Sequence, residues 1–209
     1  MIARIALLVS LAGCGGDGPK GDPVDLDEAD EADLLPDGAS GNGIRPRRRM
    51  DIDQLSASIT RVTGGIGWIR GWDGSDYFDV YAQTLGKPNY TDMTAEDLTP
   101  SLLFQKFLDD ASRSVCDQLV DRERAGGADP VLLQHVTATD TLATAPDAVR
   151  ENLRALILRW HGRVLPAGSP EVEPWVRLFD ESATATADPL GGWRAVCVGL
   201  FLHPDFYSY

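Results

Sequence analysis

The sequence lacks most of what motif-defined catalysis requires. Its 209 residues contain no HExxH, no GxSxG, no P-loop and no CxxCH. The motif-defined zinc proteases, serine hydrolases, NTPases and c-type cytochromes are thereby set aside. Histidine is scarce: His135, His161 and His203 are far apart in sequence and each sits near a helix end. They read as caps, surface residues or packed rings, not ligands. Positive charge is also short, with 19 Lys and Arg against 32 Asp and Glu and a net charge of −13. Such a chain is repelled by nucleic acid and by anionic lipid headgroups. Nucleic acid is therefore not an expected partner, and contact with a membrane has to run through something other than charge. After the N-terminus no apolar run is long enough to span a bilayer. Val196 to Leu202 is apolar but brief, as in a buried helix. No useful stretch alternates apolar with polar residues, which leaves an all-α fold.

What is present begins with an export signal. Arg4 supplies a positive start, and Ile5 to Ala12 an apolar stretch too short to remain as a membrane span. Gly13 then precedes Cys14. The run Leu11-Ala12-Gly13-Cys14 resembles the lipobox of bacterial lipoprotein precursors. That resemblance implies cleavage after residue 13, with diacylglycerol on the Cys14 thiol and acylation of the new N-terminus. Gly15 stands where an aspartate would retain such a protein in the inner membrane, so the outer membrane of a Gram-negative bacterium is the expected address. The alternative is an ordinary secretory peptide with an incidental cysteine.

Residues 14–49 read as a tether. Between Gly15 and Gly43, Asp17, Asp22, Asp25, Asp27, Glu28, Asp30, Glu31, Asp33 and Asp37 face only Lys20 as counter-charge. A stretch with so little to bury is expected to stay disordered and to extend by self-repulsion. Asp25-Leu26-Asp27 begins like a calcium loop but lacks the glycine and closing glutamate of an EF-hand. Arg45, Arg47, Arg48 and Arg49 form a basic knot that either folds back on the acidic run or marks the domain edge.

Residues 50–209 then predict an irregular bundle of about five to seven helices. The first runs from Asp51 to about Val62, with Leu55, Ile59 and Val62 on one face. Tyr77, Val80, Tyr81 and Leu85 fit a second helix stopped at Gly86. Thr99 with Pro100 is read as the cap of a long helix whose stripe is Leu103, Phe107, Ala111, Val115 and Leu119. Pro130 to Val136 is a short helix or an extended piece. Pro146 opens a helix with Val149, Leu153, Ile157, Trp160 and Val164 inward. Ser169-Pro170-Glu171 starts another, kinked or delayed by Pro174, that carries Val172, Trp175, Leu178 and Phe179. Asp188-Pro189 begins the last, with Trp193, Cys197, Leu200 and Phe201 inward, before His203-Pro204-Asp205 breaks it. Phe206, Tyr207 and Tyr209 are expected to fold back onto the domain.

Two groups of residues are candidates for chemistry. Cys116 lies at the edge of the long helix's stripe and Cys197 on the inward face of the last helix. A disulfide between them is expected in an oxidising compartment, with two buried free thiols as the alternative. There is no CxxC and no histidine at ligand spacing, so this pair does not call for a metal. The second group is the glycine-rich stretch Thr63 to Ser75. Its glycines miss the dinucleotide spacing by one residue, and a tight loop held by buried Trp68 and Trp72 accounts for them better. Asp73 and Asp76 beside these indoles form the only candidate ligand loop, for a cation or a sugar, against the plainer reading of a turn and a helix cap. Asp109 and Asp110 point about 100° apart on a helix and do not form a dyad. No catalytic residue, metal or cofactor is expected.

From about Arg150 onward, LRALILRWHGR, SPEVEPWVRLFDES and DPLGGWRAVCVGLFLHPDFYSY resemble the helical closing module of large, uncharacterised secreted proteins of planctomycetes and myxobacteria. Those proteins end the module in a motif like W-x-x-x-x-x-x-L-L-x-x-P-x-F-x-Y, approximated here by Trp193, Leu200, Leu202, Pro204, Phe206 and Tyr207 or Tyr209. Upstream, YAQTLGKPNY and SLLFQKFLDDASRSVC are similar to stand-alone myxobacterial lipoproteins of unknown role. The resemblance covers about 60 residues of the C-terminal part. It implies fold and compartment only; the CxxCH of some relatives is missing, so haem is not implied. The expected role is a non-enzymatic accessory or binding protein for another exported protein. The alternative is a carbohydrate-binding or hydrolytic domain using Trp68, Trp72, Asp73 and Asp76.

Overall fold

The computed structural model describes residues 48–209 apart from Tyr90, Asp92, Met93, Asp97, Gly127 and Ala128. The signal, Cys14 and the acidic tether up to Arg47 lie outside the described residues. The chain divides into two units, Met1–Arg45 and Pro46–Tyr209, and the second is all-α.

Seven α-helices are found among the described residues: α1 (Ile52–Val62), α2 (Tyr77–Tyr81), α3 (Leu102–Arg124), α4 (Pro146–His161), α5 (Glu173–Thr186), α6 (Pro189–Leu202) and α7 (Pro204–Tyr207). Local chemistry explains most of their starts. Asp51 and Gln54 close a capping box on α1. Asp188 caps α6, with Pro189 in its first turn. Ser169 caps a single 3₁₀ turn, Pro170–Val172, from which α5 continues, so the Pro174 segment starts late and stays helical.

Helix α6 is apolar nearly all round and lies at the centre. Leu190, Trp193, Val196, Cys197, Leu200 and Phe201 are all buried. It packs against α3 on one side and α5 on another, with α4 and α7 in contact as well. The α5 contact is unusually close because α6 presents glycine to it. A Cβ at Gly192 would lie 2.6 Å from the Phe179 carbonyl oxygen and 3.0 Å from Ala183 Cβ. Only a residue without a side chain fits there.

Several sequence expectations shift by a residue or a turn. The cap of α3 is Ser101, whose hydroxyl accepts from Phe104 N–H, not Thr99. The inward stripe is accordingly Phe104, Leu108, Ala111, Val115 and Leu119, and Leu103 is left exposed. Helix α2 is one turn long and buries Phe78, while Val80 faces out. Val164 lies beyond the end of α4, which stops at left-handed Gly162, and is 82% exposed. Residues 131–136 are neither helix nor strand. The buried Glu123 carboxylate accepts from the N–H groups of Val131, Leu132 and Leu133, at 2.7 Å each. Buried Asn152 holds the other side, donating to the Leu132 carbonyl and accepting from His135 N–H.

The edge of the domain also moves. Arg49 of the basic knot is built into the domain and is 1% exposed. Its guanidinium lies over the Phe104 ring, donates to the Leu85 and Met50 carbonyls and pairs with Glu96. Arg48 and Tyr209 exchange both backbone hydrogen bonds, and Met50 N–H donates to the Tyr207 carbonyl, so the first and last described residues are sewn together. Phe206 and Tyr207 are buried, Phe206 edge-on to Phe201 and Tyr207 edge-on to Phe104 with its hydroxyl bonded to Gln105. The Tyr209 side chain does not follow them and is 67% exposed.

Candidate functional site

The two cysteines meet. Cys116 on α3 and Cys197 on α6 are joined by a disulfide with Cα atoms 5.9 Å apart, both fully buried. The bond ties the longest helix to the central one in the middle of their contact. Its position in the core makes it a structural link, shielded from thiols in solution.

The tryptophan loop is a narrow turn in which Ile69 pairs with Asp76 and Arg70 N–H donates to the Ser75 carbonyl. It separates the two indoles that were expected to be buried together. Trp68 is 7% exposed and packs on Tyr77, Phe78, Tyr81 and Phe107. Trp72 is 79% exposed, with the Arg70 guanidinium over its ring, because it sits at the tip of the turn. The two carboxylates are engaged in structure. Asp76 caps α2 through Phe78 N–H and accepts from the Ser56 hydroxyl. Asp73 accepts from Ser75 N–H, and that bond, with Arg70 beside it, holds its carboxyl below the usual carboxylate range. The four residues therefore do not converge on one ligand. The turn-and-cap reading describes both aspartates.

The fold instead assembles a corner that the sequence reading treated as separate residues. His161 at the end of α4 and His203 at the break before α7 stack with ring centroids 4.8 Å apart. Trp175 of α5 lies 6.0 Å from each imidazole. The Asp205 carboxylate is 3.7 Å from His203 Nδ1. Arg163 bridges Asp205 and Glu171 at the rim. His161 Nε2 is bonded to the Leu200 carbonyl at 3.0 Å, which places the proton on that nitrogen and leaves Nδ1 with its lone pair. Burial pushes the His161 imidazole below its usual range, so it is held neutral. His135, the third histidine, lies apart, in a shallow groove of about 390 Å³ that also includes Arg154, Leu158 and Val164. The signal that could have found the pair is that both histidines flank helix ends, where two helices meeting at one pole bring such residues together.

No known protein family, curated protein or solved structure matches the chain. No helix among the described residues is long and apolar enough to cross a membrane.

Proposed function

We propose that the chain is a bacterial cell-envelope lipoprotein, cut before Cys14 and held by lipid on that residue. Its helical domain serves as a non-enzymatic accessory or binding partner of another exported protein. The observation that carries the reading is the buried Cys116–Cys197 disulfide, since such bonds persist in oxidising, exported compartments and rarely in the cytosol. It supports the compartment that the lipobox implies. The non-enzymatic role is supported by the use of Asp73, Asp76, Glu123 and Asn152 in structural hydrogen bonds. A binding role is supported by Trp72, a large apolar ring exposed at a turn tip beside exposed Ile69.

One observation favours a second reading. Trp72 keeps one face open while Arg70 backs the other, an arrangement on which a sugar ring can stack. Fractionating cells that express the full chain or Cys14→Ser tests the anchor. The wild-type protein is expected with the membranes and the variant in the soluble or unprocessed fraction; identical partitioning and processing would overturn lipidation. Covalent capture in the envelope by wild type and by Trp72→Ala then separates the readings. A protein adduct lost in the variant supports the accessory role, and retention on peptidoglycan or polysaccharide lost in the variant supports the second.

A further inference from the structure

We propose that His161, His203 and Asp205 form a binding site for a divalent transition-metal ion of the zinc, nickel and copper group. The proposal does not depend on whether the chain is lipidated. One donor atom from each residue lies within 4.8 Å of the others. The three come from two separate parts of the chain, the end of α4 and the break between α6 and α7, which meet at one pole of the bundle. Two imidazoles and a carboxylate suit borderline ions of this group better than calcium or magnesium, which prefer oxygen alone.

The local hydrogen bonds support ligation. A metal-binding histidine normally donates its other ring N–H to a carbonyl or carboxylate, which fixes tautomer and orientation. His161 does so through Nε2 to the Leu200 carbonyl and thereby leaves Nδ1 unprotonated. Trp175 covers one side of the pair, and His203 is 39% exposed in its side chain, which gives an ion a path in. The net charge of −13 adds a general attraction for cations.

Binding requires a small closure. Donors around a tetrahedral ion bonded at about 2.0–2.2 Å lie roughly 3.4 Å apart, so the outermost pair here must close by about 1.4 Å. Rotation of the His203 side chain, 39% exposed, and of the less exposed Asp205 side chain supplies it. That movement breaks the 3.2 Å cap bond from Asp205 N–H to His203 Nδ1. It also takes Asp205 from Arg163, whose guanidinium keeps Glu171 as its partner. With three protein ligands the ion retains a position for water or for a donor from another molecule.

The test uses full-length protein without a histidine tag, stripped with a chelator and titrated with Zn²⁺ by calorimetry. Saturation at one ion per chain and a rise in melting temperature are expected. His203→Ala and His161→Gln should each weaken binding by about 100-fold or more. Cu²⁺ should quench fluorescence in the wild type, and Trp175→Phe should remove most of that quenching, because this indole lies beside both imidazoles. Should His161→Gln fail to fold, His203→Ala decides alone, since His203 is partly exposed. Absence of saturable binding would overturn the proposal. So would weak association that both histidine variants retain, which would place the ions on the acidic N-terminal stretch.

Discussion

Helices α3 to α6 hold one another through faces that repeat along each helix, whereas residues 48–89 are held by a few large side chains. In the first region, the buried stripe of α3 includes Ala111, Val115 and Leu119, the helix packs against an apolar α6, a glycine lets α5 lie against α6, and a disulfide crosses the α3–α6 contact. In the second there is one full helix, one single-turn helix and a turn. Trp68 gathers four aromatic rings, and Arg49 gathers two carbonyls, a carboxylate and a ring. A repeating face spreads its energy over many contacts, so one loss is shared. A region organised by two hubs fails at those hubs and tolerates change elsewhere, which suits a surface that presents a residue such as Trp72.

The largest expected effect would break the stapled side of this contrast. The disulfide joins residues 81 apart. Replacing both with alanine should lower stability by about 4.5 kcal/mol on the chain-entropy account, a large part of the roughly 5–15 kcal/mol of a typical domain. Urea denaturation measures it, and a loss below about 1 kcal/mol would mean that helix packing alone carries this region.

Next comes the aromatic hub. Trp68→Ala should cost about 3–4 kcal/mol, in line with large-to-small changes at buried aromatic sites. Trp72→Ala, four residues on, should change stability by less than about 0.5 kcal/mol. Equal losses at the two positions would erase the distinction between hub and display. Gly192→Ala probes the repeating side more gently. Its new methyl would press on the Phe179 carbonyl oxygen, and overpacking of this kind costs about 1–3 kcal/mol. A melting temperature equal to that of the wild type would show that α5 and α6 separate freely.

The smallest effect is a pH dependence. Burial lowers the His161 pKa below its usual 6.5, so the fold prefers the neutral ring. Its contribution is complete above that value and is lost as pH falls through the folded pKa, because the unfolded chain then binds a proton that the folded one refuses. The groups around it are the Leu200 carbonyl, His203, Asp205 and Arg163. Melting temperature in metal-free buffer should fall on acidification, and His161→Gln, which keeps a donor for the Leu200 carbonyl, should flatten that fall. An unchanged slope would assign the pH dependence to other groups.

How much of this was legible in the sequence depends on the range of the interaction. Asp51 and Asp188 announce helix starts because a cap is chosen within four residues, and Pro146 does so because its ring suits the first helical turn. Between Thr99 and Ser101 the local chemistry is nearly degenerate, and burial of Phe104 and Leu108 decides for Ser101. The disulfide was readable because each cysteine already lay toward its helix's apolar face. Glu123 was not readable: an acidic residue in the last turn of α3 runs against the helix dipole, and only the three N–H groups of residues 131–133 explain it. The histidine corner was hidden for a related reason. His161 and His203 are 42 residues apart, and nothing along the chain says that the end of α4 meets the end of α6.

The sewing of Arg48 to Tyr209 has a mechanical consequence. Traction on the chain upstream of Arg48 arrives first at this two-way backbone bridge, and just behind it at the buried guanidinium of Arg49. To peel the chain inward, that side chain would have to leave the Phe104 ring, the Leu85 carbonyl and Glu96. Arg49 thus behaves as a knot behind an eyelet: a tug is stopped at the rim and passed to the C-terminal residues before it reaches the turn that carries Trp72.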